Sequence, residues 1–307
     1  MNRPRALAAL LLGLLVLSAP AGAATLEHDG VERSYSLELP EGADRPLPTV
    51  FVLHGGGGDG ARMARFSRFH ESAAAAGFVT VYPDGVGRQW NDARDAMTIR
   101  ENQNGENVDD VGFLIALAEK LAADGIADPK RIYVTGASNG GMMTLRLACE
   151  AAGVFAAFAP VIASLPADAE TDCRPSRPAP MLIMNGTADK LIPWDGGAVA
   201  PMFPGDRGAV LSTPRTMEIL AALNRCGGGS STTPAEDLGD GIRLTVRSWQ
   251  GCAAPLQLYR FEGMGHRWPE ARLADLPGRL GDWLGTAPVG YPANDVIRRF
   301  LAEHALP

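Results

Sequence analysis

The chain has 307 residues, of which 46% are hydrophobic and 21% charged, and a formal net charge of −7 at pH 7. That length and apolar content suffice for one large core and scarcely for two. An acidic balance of this kind argues against nucleic acid or an anionic membrane as a partner.

In chain order, Arg3 and Arg5 come first, followed by an apolar stretch over residues 6–17 and the small residues Ala21-Gly22-Ala23. This pattern reads as a cleavable secretory signal over residues 1–23, cut after Ala23, which predicts a secreted or periplasmic protein with no membrane association after cleavage. The apolar run is shorter than the roughly 20 residues that span a bilayer, and no cysteine near the cut would take a lipid. Residues 24–307 are then expected to form one domain.

Residues 34–39 alternate polar and apolar, as an edge strand with one wet face does. Residues 49–53, 78–82, 132–135 and 181–184 are almost continuously apolar, the signature of strands covered on both faces. Between them, Val111, Leu114, Ile115, Ala118 and Leu121 repeat at helical spacing, and Met217, Leu220, Ala221 and Leu223 roughly do so. Helices alternating with buried strands predict an α/β fold with a mostly parallel central sheet and helices on both faces. Residues 256–261 read as a late strand and 295–303 as a closing helix. The Gly- and Pro-rich residues 201–213 are expected to form an excursion near the site, and residues 227–231 a flexible surface turn.

Four cysteines, Cys149, Cys173, Cys226 and Cys252, all lie in the exported part, where disulfides persist. Three connectivities are formally available, and sequential pairing, Cys149 with Cys173 and Cys226 with Cys252, closes the two short loops. A metal site is not expected, because the spacing holds no close Cys-x-x-Cys pair.

The chemistry starts at Gly136-Ala137-Ser138-Asn139-Gly140, which follows the apolar run ending at Thr135 and precedes a helical stretch. A serine on a sharp strand-to-helix turn has its hydroxyl thrust outward, and small neighbours are needed around it. Such a hydroxyl needs a base, and the base an orienting acid. His266, in Gly263-Met264-Gly265-His266-Arg267-Trp268-Pro269 just past a strand end, is the expected base. His54 reads as a structural member of its glycine loop, and His28, His70 and His304 as solvated surface residues. Asp189 follows the strand at residues 181–184 and is the expected acid, with Asp195 as its rival; the order Ser138, Asp189, His266 is that of α/β-hydrolases. The run His54-Gly55-Gly56-Gly57-Gly58 after the first buried strand would supply oxyanion amides, with Gly56 and Asn139 as the expected donors and Gly55 or Gly57 as replacements for Gly56. A phosphate-cradling loop is disfavoured, since no Lys-Ser or Lys-Thr follows the glycines. Trp90, Trp194 and Trp268 sit beside these motifs and would wall an apolar acyl or alkyl group. Asp109 and Asp110 open a helix and read as caps.

These motifs, together with Tyr82-Pro83-Asp84-Gly85, Trp90-Asn91, Val108-Asp109-Asp110-Val111-Gly112-Phe113 and Gly186-Thr187-Ala188-Asp189, resemble those of the polyhydroxybutyrate depolymerase and feruloyl esterase family over nearly all of the mature chain. The resemblance implies a secreted serine esterase of α/β-hydrolase fold, with Ser138, Asp189 and His266 as its triad, the two sequential disulfides and no cofactor. Its substrate would be a small or oligomeric ester, of a hydroxyalkanoate, ferulate or acetate. Polymer-degrading relatives often carry a Thr- or Ser-rich linker and a separate binding domain; this sequence shows neither, which argues against adhesion to insoluble polyester. The family's usual His-Gly before the acid is Asn185-Gly186 here. A serine peptidase of the same fold, or an exported binding protein without turnover, are the alternative readings.

Overall fold

A computed structural model of the protein describes residues 23–95, 107–200, 206–270 and 279–307. The expected signal segment therefore lies, except for Ala23, outside the described residues.

One sheet organises the fold. Its strands are β1 (Ala24–His28), β2 (Val31–Glu38), β3 (Leu47–Leu53), β4 (Val79–Pro83), β5 (Ala127–Ala137), β6 (Ala157–Val161) and β7 (Met181–Gly186), then, after a small ribbon of β8 (Gly197–Ala198) and β9 (Ala209–Val210), β10 (Ser230–Thr232), β11 (Glu236–Asp237), β12 (Arg243–Trp249) and β13 (Leu256–Glu262). The order is β1-β2-β4-β3-β5-β6-β7-β13-β12-β10, with β11 also paired to β12. From β4 to β13 every pair is parallel, and the flanking strands are antiparallel.

The parallel block is buried on both faces, which accounts for its unbroken apolar sequence. Alternation along β3 sends Phe51 and Leu53 to one face and Val50 and Val52 to the other. The first face packs against α3 (Asp110–Ala123), α4 (Asn139–Glu150) and α5 (Thr213–Leu223) through Leu114, Leu117, Leu145, Met217 and Leu220. The second packs against α1 (Gly60–Ser67), α2 (Phe69–Ala75) and α7 (Ala293–Ala302) through Met63, Phe69, Ile297 and Leu301. A further helix, α6 (Arg279–Leu284), precedes α7. Each fully buried Phe, Leu or Ile in these layers contributes about 1.5–3 kcal/mol.

Register aligns the carboxyl ends of the central strands. Leu53 lies opposite Gly136, Ala137 opposite Val161, Met184 also opposite Val161, and Gly186 opposite Phe261. The loops leaving β3, β5, β7 and β13 thus emerge together, where ligands bind in open α/β sheets.

Both cysteine pairs form as expected, Cys149–Cys173 and Cys226–Cys252. Asp109 accepts the Gly112 amide at 2.9 Å as the N-cap of α3, while Asp110 is buried against Arg33 and the Asn91 amide. Other expectations need correction. The strand at residues 34–39 is not an edge, because β1 pairs outside it. Residues 227–231 are not a free turn: Ser230 and Ser231 belong to β10, which pairs with β12. Of the expected excursion, residues 201–205 lie outside the described residues, and Ala209–Val210 pairs with Gly197–Ala198. His28, His70 and His304 are half-buried rather than solvated; His28 bonds Asp109 at 3.0 Å and His70 the Tyr82 hydroxyl at 3.1 Å.

Candidate active site

Ser138 separates β5 from α4 with φ 57° and ψ −119°, a conformation that non-glycine residues rarely adopt and that costs on the order of 1–3 kcal/mol. The turn is held from both sides: the Ser138 amide donates to the Val161 carbonyl at 3.0 Å, and the Ser138 carbonyl accepts from Met142 at 2.8 Å. The expected need for glycine is met by close backbone approach. A Cβ on Gly140 would lie 2.5 Å from the carbonyl oxygens of Leu53 and His54, and one on Gly136 would lie 2.6 Å from the Gly140 oxygen.

Asp189 and His266 meet across two neighbouring loops. His266 Nδ1 is 2.7 Å from Asp189 Oδ2, and the other carboxylate oxygen accepts the amides of Leu191 at 2.8 Å and Ile192 at 2.9 Å. A carboxylate is an acceptor only, so Nδ1 carries the proton and Nε2 is left as the basic nitrogen. Backbone bonds stitch the loops together, Thr187 N–H to the Phe261 carbonyl and Ala188 N–H to the Met264 carbonyl, both at 3.0 Å. Asp195 is exposed, and it is Asp189 that pairs with the imidazole. Ser138 and His266 line one cavity of about 230 Å³. Among the described residues the Ser138 hydroxyl makes no hydrogen bond.

The glycine loop after β3 borders the same cavity. Gly57 donates to the Arg88 carbonyl at 2.8 Å and Gly58 to the Gly55 carbonyl at 3.0 Å, so of the three candidate amides Gly57 is engaged, leaving Gly55 and Gly56 at the cavity wall. Asn139, also at the wall, opens α4, where first-turn amides have no partner within the helix and carry its positive dipole end. His54 anchors the loop from beneath. Its Nε2 accepts the Gly85 amide at 3.0 Å, its Nδ1 donates to the Gly55 carbonyl at 2.9 Å, and burial lowers its pKa below the ordinary histidine value.

A buried polar chain supports the elbow, and nothing in the sequence signalled it. Asn139 Nδ2 donates to Asp92 at 2.6 Å and to the Trp90 carbonyl at 2.9 Å, while Arg94 grips Asp92 through Nε and Nη2. From there Arg94 Nη1 reaches the Arg207 carbonyl at 2.7 Å. The cavity walls between these groups are apolar, with Met63, Phe66, Met142, Ile162, Leu191 and Ile192.

The three tryptophans do not form that wall. Trp90 and Trp268 are 0% exposed, and their indole N–H groups are bonded internally, to the His54 carbonyl at 3.0 Å and to Asn294 at 2.9 Å. Trp194 is half-buried beneath the Arg260 guanidinium and is not at the cavity. Large aromatic area next to an apolar layer goes into the core, and aliphatic side chains from other elements supply the lining.

A family model described as the prolyl oligopeptidase family matches residues 64–167. NocK of Nocardia uniformis subsp. tsuyamanensis, a protein named as an esterase, is 34% identical over 258 residues, covering 79% of this chain and 70% of its own. Feruloyl esterase C of Emericella nidulans is 26% identical over 241 residues and 76% of each chain. Among solved structures, the acetyl xylan esterase from Aspergillus awamori superposes with a TM-score of 0.54 at 17% identity, over 77% of this chain and 90% of that one. A thermostable esterase gives 0.51 at 17% identity, over 93% and 63%. These similarities establish the α/β-hydrolase fold.

Proposed function

The chain belongs to the esterases of the α/β-hydrolase superfamily and is a carboxylic ester hydrolase, and from that premise we propose that Ser138, His266 and Asp189 form its catalytic triad and act through an acyl-enzyme. The observation that carries the reading is the junction of a left-handed Ser138 with a His266–Asp189 pair at 2.7 Å around one cavity.

In this reading Ser138 Oγ attacks the ester carbonyl as Nε2 of His266 takes its proton, and the oxyanion gathers at the amides of Asn139 and of Gly56 or Gly55. Each such donor lowers the barrier by about 3 kcal/mol in comparable hydrolases. The imidazolium is stabilised by Asp189 and returns the proton to the departing alcohol. Water then enters by the same general-base route, the acyl–Ser138 bond breaks, and the acid leaves. The small, apolar cavity favours short hydroxyalkanoate, acetyl or feruloyl esters as substrates. Export by the N-terminal signal is part of the proposal, supported by two disulfides of the kind an oxidising compartment maintains.

Hydrolysis of 4-nitrophenyl acetate and butyrate by wild type and Ser138→Ala tests the assignment. A loss of at least about 1,000-fold in kcat is expected for the variant, and equal rates would refute it. The prolyl oligopeptidase match over residues 64–167 motivates a second reading, amide cleavage at the same site, and a panel of matched esters and amides separates the two.

A further inference from the structure

Among the described residues, the cavity beside Ser138 is lined by three arginines, Arg94, Arg207 and Arg267, and by no aspartate or glutamate, in a chain whose net charge is −7. Two of these cations are committed elsewhere. Arg94 is 2% exposed and neutralised by Asp92, and Arg267 donates through Nε to the Gly285 carbonyl at 2.8 Å. The half-buried Arg207 is different: among the described residues its guanidinium has no hydrogen bond or ion pair, although its backbone is fixed. The Arg94 bond to its carbonyl is one tether. The next residue supplies two more, since the Gly208 amide donates to Asp206 and the Gly208 carbonyl accepts from Val199, each at 2.9 Å.

A cation held by its backbone at a mostly apolar wall, with no ion-pair partner among the described residues, is open to a counter-charge brought by a ligand. Resting on the ester-hydrolase reading of this site, we propose that Arg207 binds a carboxylate carried by the substrate, so that the preferred substrates are short esters with a free carboxylate. A guanidinium fork matches a planar carboxylate with two parallel N–H donors, and a neutral acyl chain would leave it unused. The apolar walls take the carbon chain between the two ends. The Asp92–Arg94 pair links Asn139 beside the nucleophile to the Arg207 carbonyl, which ties the backbone at Arg207 to the elbow.

The test measures kcat/KM on charged and neutral partners. One arm places the carboxylate on the acyl side, 4-nitrophenyl hydrogen glutarate against 4-nitrophenyl hexanoate. The other places it on the alcohol side, 3-(butanoyloxy)butanoate against its primary amide. In at least one arm the wild type is expected to favour the anion, and Arg207→Gln to cut the charged-to-neutral ratio by about 10- to 100-fold, the value of a charge-assisted contact. Arg207→Lys should restore part of the ratio, Arg207→Glu should invert it, and added salt should shrink it in the wild type. An unchanged ratio in both arms, with neutral esters still hydrolysed, overturns the carboxylate assignment alone; should Arg207→Gln not fold, a wild-type ratio near one and insensitive to salt does the same. No turnover of any ester by the wild type would overturn the underlying reading as well.

Discussion

Asp189 uses its two oxygens for different tasks, Oδ2 for His266 and Oδ1 for the amides of Leu191 and Ile192. In Asp189→Asn the loop amides can keep an oxygen acceptor, but the group facing His266 becomes a donor and disfavours the Nδ1–H tautomer. We expect kcat to fall by roughly 10⁴-fold, by analogy with the same change in a serine protease triad, with KM and melting temperature little altered. His54 makes a different statement. Burial keeps its folded-state pKa below the unfolded value, so the unfolded chain binds the extra proton and stability declines as pH falls through the unfolded value of about 6.5. Urea midpoints at pH 7 and pH 5 should therefore differ more for the wild type than for His54→Gln, which has no proton to gain; equal differences would discount the residue. The elbow at Ser138, the Asp189–His266 contact and the glycine loop at the cavity could be read from sequence, because each sits at a strand end marked by local spacing. Trp90 and Trp268 could not, since whether an indole faces a cavity or a core depends on elements far along the chain.

The strand–turn–helix element around Ser138 leaves no space for a methyl group at Gly140. Gly140→Ala would press a Cβ into two carbonyl oxygens, of Leu53 at the end of β3 and of His54 just after it, displacing the glycine loop and the elbow together. Thermal melts should show a loss of about 3 kcal/mol or more, and any soluble fraction should lack esterase activity. Parallel strands were legible as apolar runs, but β6 escaped notice: Ala157-Phe158-Ala159-Pro160-Val161 is rich in alanine, a poor strand former, and is a strand because β5 and β7 pair on both sides of it. The same limit applies to the edges. β1 and β10 have little apolar signal, and pairing with β2 and β12 makes them strands.

Across the whole molecule, the two disulfides close loops with sequence separations of 24 and 26 residues, each adding about 3 kcal/mol in the loop-entropy description. Cys149 lies at the far end of the helix that opens with Asn139, and Cys252 lies between β12 and β13, so neither touches the cavity. Cys149→Ser/Cys173→Ser should lower the urea midpoint while leaving kcat in dilute buffer within about twofold; a large loss of kcat with an unchanged midpoint would contradict this. The overall α/β plan was accessible from pattern alone, because a two-faced parallel sheet imposes its own sequence. The cavity lining was not, since Met63, Leu191 and Met142 come together only when the layers assemble.

Beyond β13, which delivers the His266 loop, the sheet continues through antiparallel β12 and the short, wholly exposed β10. Those outer ribbons act as a guard rail. Trimming residues 230–249 would bare the hydrogen-bonding row of a strand bearing Leu256, Leu258 and Phe261, an invitation for another copy to dock edge to edge and, from there, to fibrous aggregates.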